Sequence, residues 1–325
     1  MPLPDVLVVS VGSTTGWKAS ANELTASLER AGANVELAGT GPLRRVRTFA
    51  LTDLLEARAA RRVTRAAIAE REPGAIIYCS MTAALLWPRP GAIWLDSIAA
   101  ENRPGRHGVW QRTVERRRLA QAPLVLAMSD RALETLDRPH PEHVVVVPTP
   151  VEPSGPPALE RDVLALTYAG NPEKKRLDHI LEQWSRARRD GETLVVTGIE
   201  RVDPADGVEV AGRLAPEDYR ALLRRTRVFV AAPRREDYGI APLEALADGC
   251  VLVTAPAPGP YPALELARRL DPRLVTDDLA AAIRAAIDDP APDYDRRAAE
   301  MLVPFGHAAV DKTVRERVLP RLSSP

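Results

Sequence analysis

Short apolar runs alternate with segments of helical period along almost the whole chain, and the alternation breaks once. The break is Pro148-Thr-Pro-Val-Glu-Pro-Ser-Gly-Pro-Pro157, five prolines in ten residues. Proline fixes φ and lacks an amide donor, so the stretch excludes helix interior and central strand and reads as a semi-rigid linker. Alternation on both sides of it is the pattern of parallel α/β sheets, and continuous apolar runs suit strands covered on both faces. Before the linker, strands are expected near Val6–Val11, Asn34–Ala38, Ala75–Ser80, Ala92–Leu95, Leu124–Met128 and His143–Val147. Helices fit Ala19–Ala31, Leu51–Arg71 and Val109–Ala120, the second with Leu51, Leu55, Ala59, Val63 and Ala67 on one stripe. After it, strands are expected at Val163–Ala169, Thr193–Thr197, Gly207–Val210, Val228–Ala231 and Cys250–Thr254, with a last one around Leu274–Val275. Helices are expected over Leu177–Arg189, Pro216–Arg225, Ala241–Asp248, Asp277–Asp288, Asp293–Met301 and Ala308–Leu322. The fold class is α/β, with two Rossmann-like doubly wound domains facing a cleft at the carboxyl ends of their strands.

Composition narrows the function classes. The 325 residues are 45% apolar, enough for two cores, and 44 basic against 44 acidic side chains give zero net charge. A dedicated nucleic-acid binder would carry a basic excess, so no nucleic-acid partner is expected. Cys79 and Cys250 each sit inside an apolar run and read as buried thiols. The longest apolar candidate, Ala75–Trp87, is too short to span a bilayer. MPLPDVLVVSV has no basic n-region or cleavage site and reads as a first strand, so a cytoplasmic protein is expected.

The segment Pro233-Arg-Arg-Glu-Asp-Tyr-Gly-Ile-Ala-Pro-Leu-Glu-Ala-Leu-Ala-Asp-Gly249 carries most of the chemical signal. It follows an expected strand. Gly239 permits a backbone bend and Pro242 fits a first helical turn. The amides of Ile240 and Ala241 would then form an anion site flanked by Glu236 and Glu244. A carboxylate beside a phosphate is tolerated where it accepts hydrogen bonds from hydroxyls, and the vicinal diol of a sugar supplies two. A nucleotide-sugar meets both demands; the bland alternative is a solvated helix face. In Tyr168-Ala-Gly-Asn-Pro-Glu-Lys-Lys-Arg-Leu-Asp178, Gly170 turns the chain out of a strand, and Lys174 and Lys175 are half of the four lysines. Lysine suits phosphate oxygens; an ordinary basic turn is the alternative. The first strand leads into Gly12-Ser-Thr-Thr-Gly16-Trp-Lys18, which fits neither G-x-G-x-x-G nor the Walker spacing, so dinucleotide and P-loop readings weaken.

Together these pieces resemble retaining GT-B glycosyltransferases of family 4, over roughly residues 5–255. The family signature is two glutamates separated by seven residues, here Glu236 and Glu244, followed by Ala245-Leu-Ala-Asp-Gly-Cys-Val-Leu-Val253. Val210-Ala-Gly-Arg-Leu-Ala-Pro-Glu-Asp-Tyr219 and Ala127-Met-Ser-Asp-Arg-Ala-Leu-Glu-Thr-Leu136 are further matches. The resemblance implies a C-terminal donor domain over 151–305, an N-terminal acceptor-side domain over 1–150, and a final helix, 306–325, returning to the first. It implies that Glu244 binds the ribose diol and that Glu236 contacts donor-sugar hydroxyls. Gly239, Ile240 and Ala241 would hold sugar and diphosphate, with Lys175 as the phosphate lysine. Gly170 and Asn171 would line the phosphate loop, Arg213 and Leu214 would lie near the base, and Gly12 beside the donor phosphate.

The implied reaction is metal-independent and needs no cofactor. A UDP- or GDP-sugar is the expected donor, and front-face attack places the acceptor on the retained face while the leaving diphosphate helps take its proton. Two positions depart from the family pattern. Asn171 stands where an arginine is usual, and Asp96 falls where a histidine is usual; none of His107, His140, His143, His179 or His307 obviously replaces it. Asp96 could contact the donor sugar or the attacking hydroxyl, or cap a strand end. Asp293-Tyr-Asp295 has a metal-binding D-x-D form but reads as helix capping. Arg44, Arg45, Arg47, Arg58, Arg61, Arg62 and Arg65 suit either an anionic acceptor or inner-membrane surface, or a solvated helix face. A nucleotide-sugar epimerase or phosphorylase of the same fold, or a non-catalytic nucleotide-sugar-binding scaffold, are the alternatives.

Overall fold

The computed structural model describes residues 5–12, 14–41, 48–134, 144–156, 158 and 160–322. Arg44, Arg45, Arg47, His140, His143 and Pro157 lie outside the described residues. The chain divides into two units, residues 1–150 with 305–325, and residues 151–304.

The N-terminal unit is built on six parallel strands, β1 (Asp5–Ser10), β2 (Asn34–Gly39), β3 (Ala75–Cys79), β4 (Ala92–Leu95), β5 (Val125–Ala127) and β6 (Val144–Val146). Their order is β2-β1-β3-β4-β5-β6, so the chain changes direction across the sheet between β1 and β3. Ligands of open α/β sheets bind at such switch points, beyond the strand carboxyl ends. Helices α1 (Thr15–Arg30), α2 (Phe49–Arg71), α3 (Met81–Ala84), α4 (Ala99–Asn102) and α5 (Val109–Gln121) connect the strands. Thr14 starts α1 by accepting the Trp17 amide on its hydroxyl at 3.1 Å.

The C-terminal unit has five parallel strands, β7 (Val163–Tyr168), β8 (Leu194–Thr197), β9 (Val208–Gly212), β10 (Thr226–Ala231) and β11 (Val251–Thr254), ordered β11-β10-β7-β8-β9. Here the switch point lies between β7 and β10. Its helices are α6 (Pro172–Lys175), α7 (Leu177–Ala187), α8 (Pro216–Arg225), α9 (Ile240–Ala247), α10 (Pro262–Leu270), α11 (Leu279–Asp288) and α12 (Tyr294–Leu302). Trp184 of α7 is fully buried and donates its indole N–H to the Gly207 carbonyl at 2.7 Å, fixing the entry to β9. The chain then re-enters the first unit as α13 (His307–Thr313), a π-helical turn over Val314–Val318 and α14 (Leu319–Leu322). Val310, Val314 and Val318 are buried there, and Arg30 of α1 holds Asp311 through two hydrogen bonds of 2.6 and 3.0 Å.

Four sequence expectations change. The buried residues of α2 are Asp53, Ala57, Ala59, Ala60, Thr64 and Ala67; of the expected stripe, Ala59 and Ala67 are buried, Leu55 and Val63 half-buried, and Leu51 is 46% exposed. Small residues let α2 approach the sheet. Asp53 can join them because Arg103 binds both its oxygens, at 2.8 and 3.0 Å, and Gln111 adds a bond of 3.1 Å. Leu274–Val275 forms a single bridge, Val275 to Thr254, rather than a strand, because Pro272 opens a tight 3-10 turn immediately before it. Helix α10 was not anticipated; it starts on Pro262 at its first position. Asp293 occupies the N-cap position of α12 without accepting an amide, its carboxylate bonding Arg296 at 2.9 Å instead.

Glu115 of α5 is buried, and its carboxylate accepts the Ala99 amide at 2.7 and 2.9 Å. Burial pushes its pKa up to about 7, against smaller lowering effects of that amide, Arg103 and Arg116. A carboxyl raised in the folded state contributes stability that is complete below its ordinary pKa and is lost as pH rises through the folded value. Urea denaturation between pH 4.5 and 8 is expected to show the wild type losing stability toward pH 7 relative to Glu115→Gln. Parallel profiles would refute it.

Candidate functional site

Three loops leaving neighbouring strands of the C-terminal unit converge on Glu236. The β7 loop turns at Gly170, and Asn171 caps the single turn α6, its side-chain oxygen accepting the Lys174 amide at 3.0 Å. Arg176 in the left-handed region (φ 51°) then breaks α6 from α7, leaving Lys174 and Lys175 at the bend. The β10 loop is stitched to this turn: the Arg234 amide donates to the Lys174 carbonyl at 2.9 Å and its Nε to the Glu173 carbonyl at 3.1 Å. The β11 loop contributes the Pro258 carbonyl, which accepts the Glu236 amide at 3.0 Å.

Glu236 is 6% exposed, and its carboxylate is ion-paired to the Lys175 ammonium, with Lys174 Nζ 4.0 Å from the other oxygen. Burying a carboxylate costs several kcal/mol unless charge and hydrogen bonds compensate it. Three residues later Gly239, at φ 79°, starts α9. A Cβ there would lie 2.9 Å from the buried Tyr261 ring and 3.0 Å from Glu236 Cγ, so space as well as φ requires glycine. The amides of Ile240 and Ala241 belong to the first turn of α9, where N–H groups have no intrahelical acceptor. Lys175, Glu236, Ala241 and Tyr168 line one pocket at the β7–β10 switch point.

Glu244, one turn further along α9, has a different setting. Burial raises its pKa to about 7; Arg220 pulls it down and Asp248 pushes it up. Arg220 Nη1 lies 3.5 Å from Glu244 Oε1, and the Glu244 side chain is 23% exposed. Tyr168 and Tyr219 pack beside it with ring centroids 5.8 Å apart. Burial raises the Tyr168 hydroxyl, with Arg213 opposing and Glu244 adding to the shift, which puts Tyr168 within the electrostatic reach of both.

The remaining candidates lie on other loops. Arg213 and Leu214 follow β9, Arg213 exposed and 3.7 Å from Glu200, Leu214 half-buried. Gly12 and Asp96 belong to the N-terminal unit, at the carboxyl ends of β1 and β4. Gly12 has φ 59°, and Asp96 accepts the Ser97 hydroxyl at 3.3 Å. His307 pairs with Glu23 at 3.0 Å. Arg58, Arg62 and Arg65 are exposed on α2, whereas Arg61 donates to the Leu86 carbonyl at 3.2 Å. Among the described residues no helix is long and apolar enough to cross a membrane. Sequence reasoning missed Arg220, one of 40 arginines with nothing local to single it out.

Residues 162–289 match the family model described as glycosyl transferases group 1. The match lies within the C-terminal unit and covers less than half of the chain. Solved structures extend the likeness to the whole chain as one of fold, the GT-B glycosyltransferase fold. Sucrose-phosphate synthase from Thermosynechococcus elongatus matches with TM-score 0.73 and 15% identity, over 95% of this chain and 96% of that one. WaaG, a glycosyltransferase involved in lipopolysaccharide biosynthesis, matches with TM-score 0.70 and 11% identity, over 94% and 98%. The pneumococcal O-GlcNAc transferase GtfA, solved with UDP and GlcNAc, matches with TM-score 0.60 and 14% identity, over 81% of this chain and 60% of that one. A comparison with curated protein sequences gives no match.

In the C-terminal unit the Gly239 bend is a structural requirement of the Glu236 loop. Gly239→Ala is expected to destabilise the protein by about 1–3 kcal/mol. Gly39→Ala, whose Cβ would meet nothing within 4 Å, serves as the control and should change little. Equal denaturation midpoints for the two variants would contradict this.

Proposed function

We propose that the chain is a retaining glycosyltransferase that moves a sugar from a nucleoside diphosphate donor to an acceptor hydroxyl. The observation that carries this reading is the Lys175–Glu236 pair set beside the first turn of α9, with Glu244 one turn away. A diphosphate needs cations and directed amides, and a sugar needs buried hydrogen-bond acceptors; this loop cluster supplies both within a few residues. The UDP complex of the structurally similar GtfA supports a uridine donor, and a GDP-sugar is the other candidate.

In this reading Lys175 transfers its charge from Glu236 to the departing diphosphate, and the Ile240 and Ala241 amides share that task. Charge stabilisation of this kind is often the largest catalytic contribution. Glu236, relieved of its lysine, accepts hydroxyls of the donor sugar and fixes the anomeric carbon for attack. The acceptor oxygen bonds to that carbon on the face the phosphate leaves, the carbon–oxygen bond to the diphosphate breaks, and the acceptor proton passes to the leaving phosphate oxygen. The residues named here require neither metal nor cofactor. Glu244 accepts the ribose diol, and Asp96 is the N-terminal unit's candidate for a sugar or acceptor hydroxyl. Asn171, committed as an N-cap where a second cation would help, favours a second reading, a protein that binds nucleotide-sugars without turnover.

Thermal stabilisation by UDP-, GDP- and ADP-sugars identifies the donor, because a ligand bound only by the native state raises apparent stability. With that donor, Glu244→Ala is expected to weaken nucleoside diphosphate binding about tenfold or more. Glu236→Ala is expected to abolish transfer or donor hydrolysis while leaving nucleoside diphosphate affinity within a few-fold. Unchanged affinity in Glu244→Ala would reject the ribose assignment. Saturable binding without transfer or hydrolysis would establish the second reading. Anomeric configuration of the product, read by NMR, tests retention.

A further inference from the structure

Arg220 has no counterpart among the sequence candidates, yet three parts of the C-terminal unit meet on its guanidinium. Its Nε donates to Asp248 Oδ2 at 2.7 Å and its Nη2 to the Glu152 carbonyl at 2.7 Å, while Nη1 faces Glu244 Oε1 at 3.5 Å. The planar fork of a guanidinium makes these three directions rigidly dependent on one another. Asp248 is itself fixed: its side chain is fully buried and its Oδ1 accepts both the amide and the hydroxyl of Ser154, at 2.7 and 2.9 Å. The two short bonds therefore set the guanidinium plane, and the third corner addresses Glu244 at ion-pair range.

We infer that Arg220 is the positioning residue of the donor site, aiming the Glu244 carboxylate and holding it in the charged form that accepts a ribose diol. The inference rests on the assignment of Glu244 to the ribose. Among the described residues, four titratable or charged groups interact with Glu244: Arg220 and Tyr219 from α8, Asp248 at the residue that follows α9, and Tyr168 from β7. Among the described residues, Arg220 is the cation that acts on it, against the opposing charge of Asp248 and the burial of the site. Without Arg220, Glu244 would be drawn toward its neutral form, which offers a hydroxyl group one proton too many.

The test compares UDP, GDP or ADP, whichever binds, with its 2′,3′-dideoxy form by calorimetry between pH 5.5 and 8.5. Wild-type protein is expected to prefer the ribonucleotide about tenfold or more, the preference growing as pH rises through about 7. In Arg220→Gln the preference is expected to fall toward unity near pH 7, with its onset moved to higher pH. Arg220→Lys keeps a charge without the fork and should retain the pH midpoint while losing part of the preference; it also serves if the glutamine variant does not fold. If Arg220→Gln and Arg220→Lys weaken both nucleotides equally, with an unmoved pH midpoint, Arg220 is a structural clamp and the inference fails alone. If the wild type binds both forms alike, Glu244 does not hold the ribose, and the inference falls with that assignment.

Discussion

A buried carboxylate at the meeting point of three loops is the constraint on which the C-terminal unit depends. Glu236 can occupy that position only because Lys175 neutralises it and because the β7, β10 and β11 loops are locked by backbone hydrogen bonds. The lock places Gly239 where a side chain would strike Tyr261, and this bend aims the first turn of α9. Charge pairing, glycine geometry and helix start are consequences of one packing solution. A change to any of them disturbs the others.

The two glutamates of this segment do different electrostatic work although they sit on one continuous loop and helix. Glu236 faces two lysines, a pairing that in the proposed reaction gives way to the diphosphate. Glu244 is raised toward neutrality by burial and is held in check by an arginine whose short bonds go elsewhere. The first arrangement suits a group that must respond to the arrival of phosphate. The second suits a group with a fixed task at a fixed place.

The N-terminal unit treats buried charge in the same manner without a comparable cluster. Asp53, Arg103, Gln111 and Glu115 form a polar layer behind the segment that follows β4, and Asp96 lies at the start of that segment. Hydrogen bonds from Arg103 and Gln111 explain how α2 can turn an aspartate inward, although the Gln111 side-chain oxygen is itself buried without a hydrogen-bond partner. Glu115 ties that layer to the segment after Asp96 through the Ala99 amide.

Apolar periodicity made most strands and helices legible, since a strand covered on both faces and a helix covered on one must show it in their residues. The Pro148–Pro157 stretch and the Glu236–Glu244 segment were equally plain, because proline, glycine and paired acids state local backbone demands. The face of α2, the lost strand at Leu274–Val275 and the role of Arg220 were not legible. The first and last depend on residues far apart in the chain, Arg103 meeting Asp53 across 50 positions and Arg220 meeting Asp248 across 28, whereas the strand is cut short by Pro272 just before it. The sequence by itself determined the α/β class, most of the elements in order and the acids, glycine and proline concentrated after β10. Tertiary structure alone decided which carboxylate is paired with lysine and which is set by arginine, because charge is settled by distance and burial, and neither is a property of local sequence.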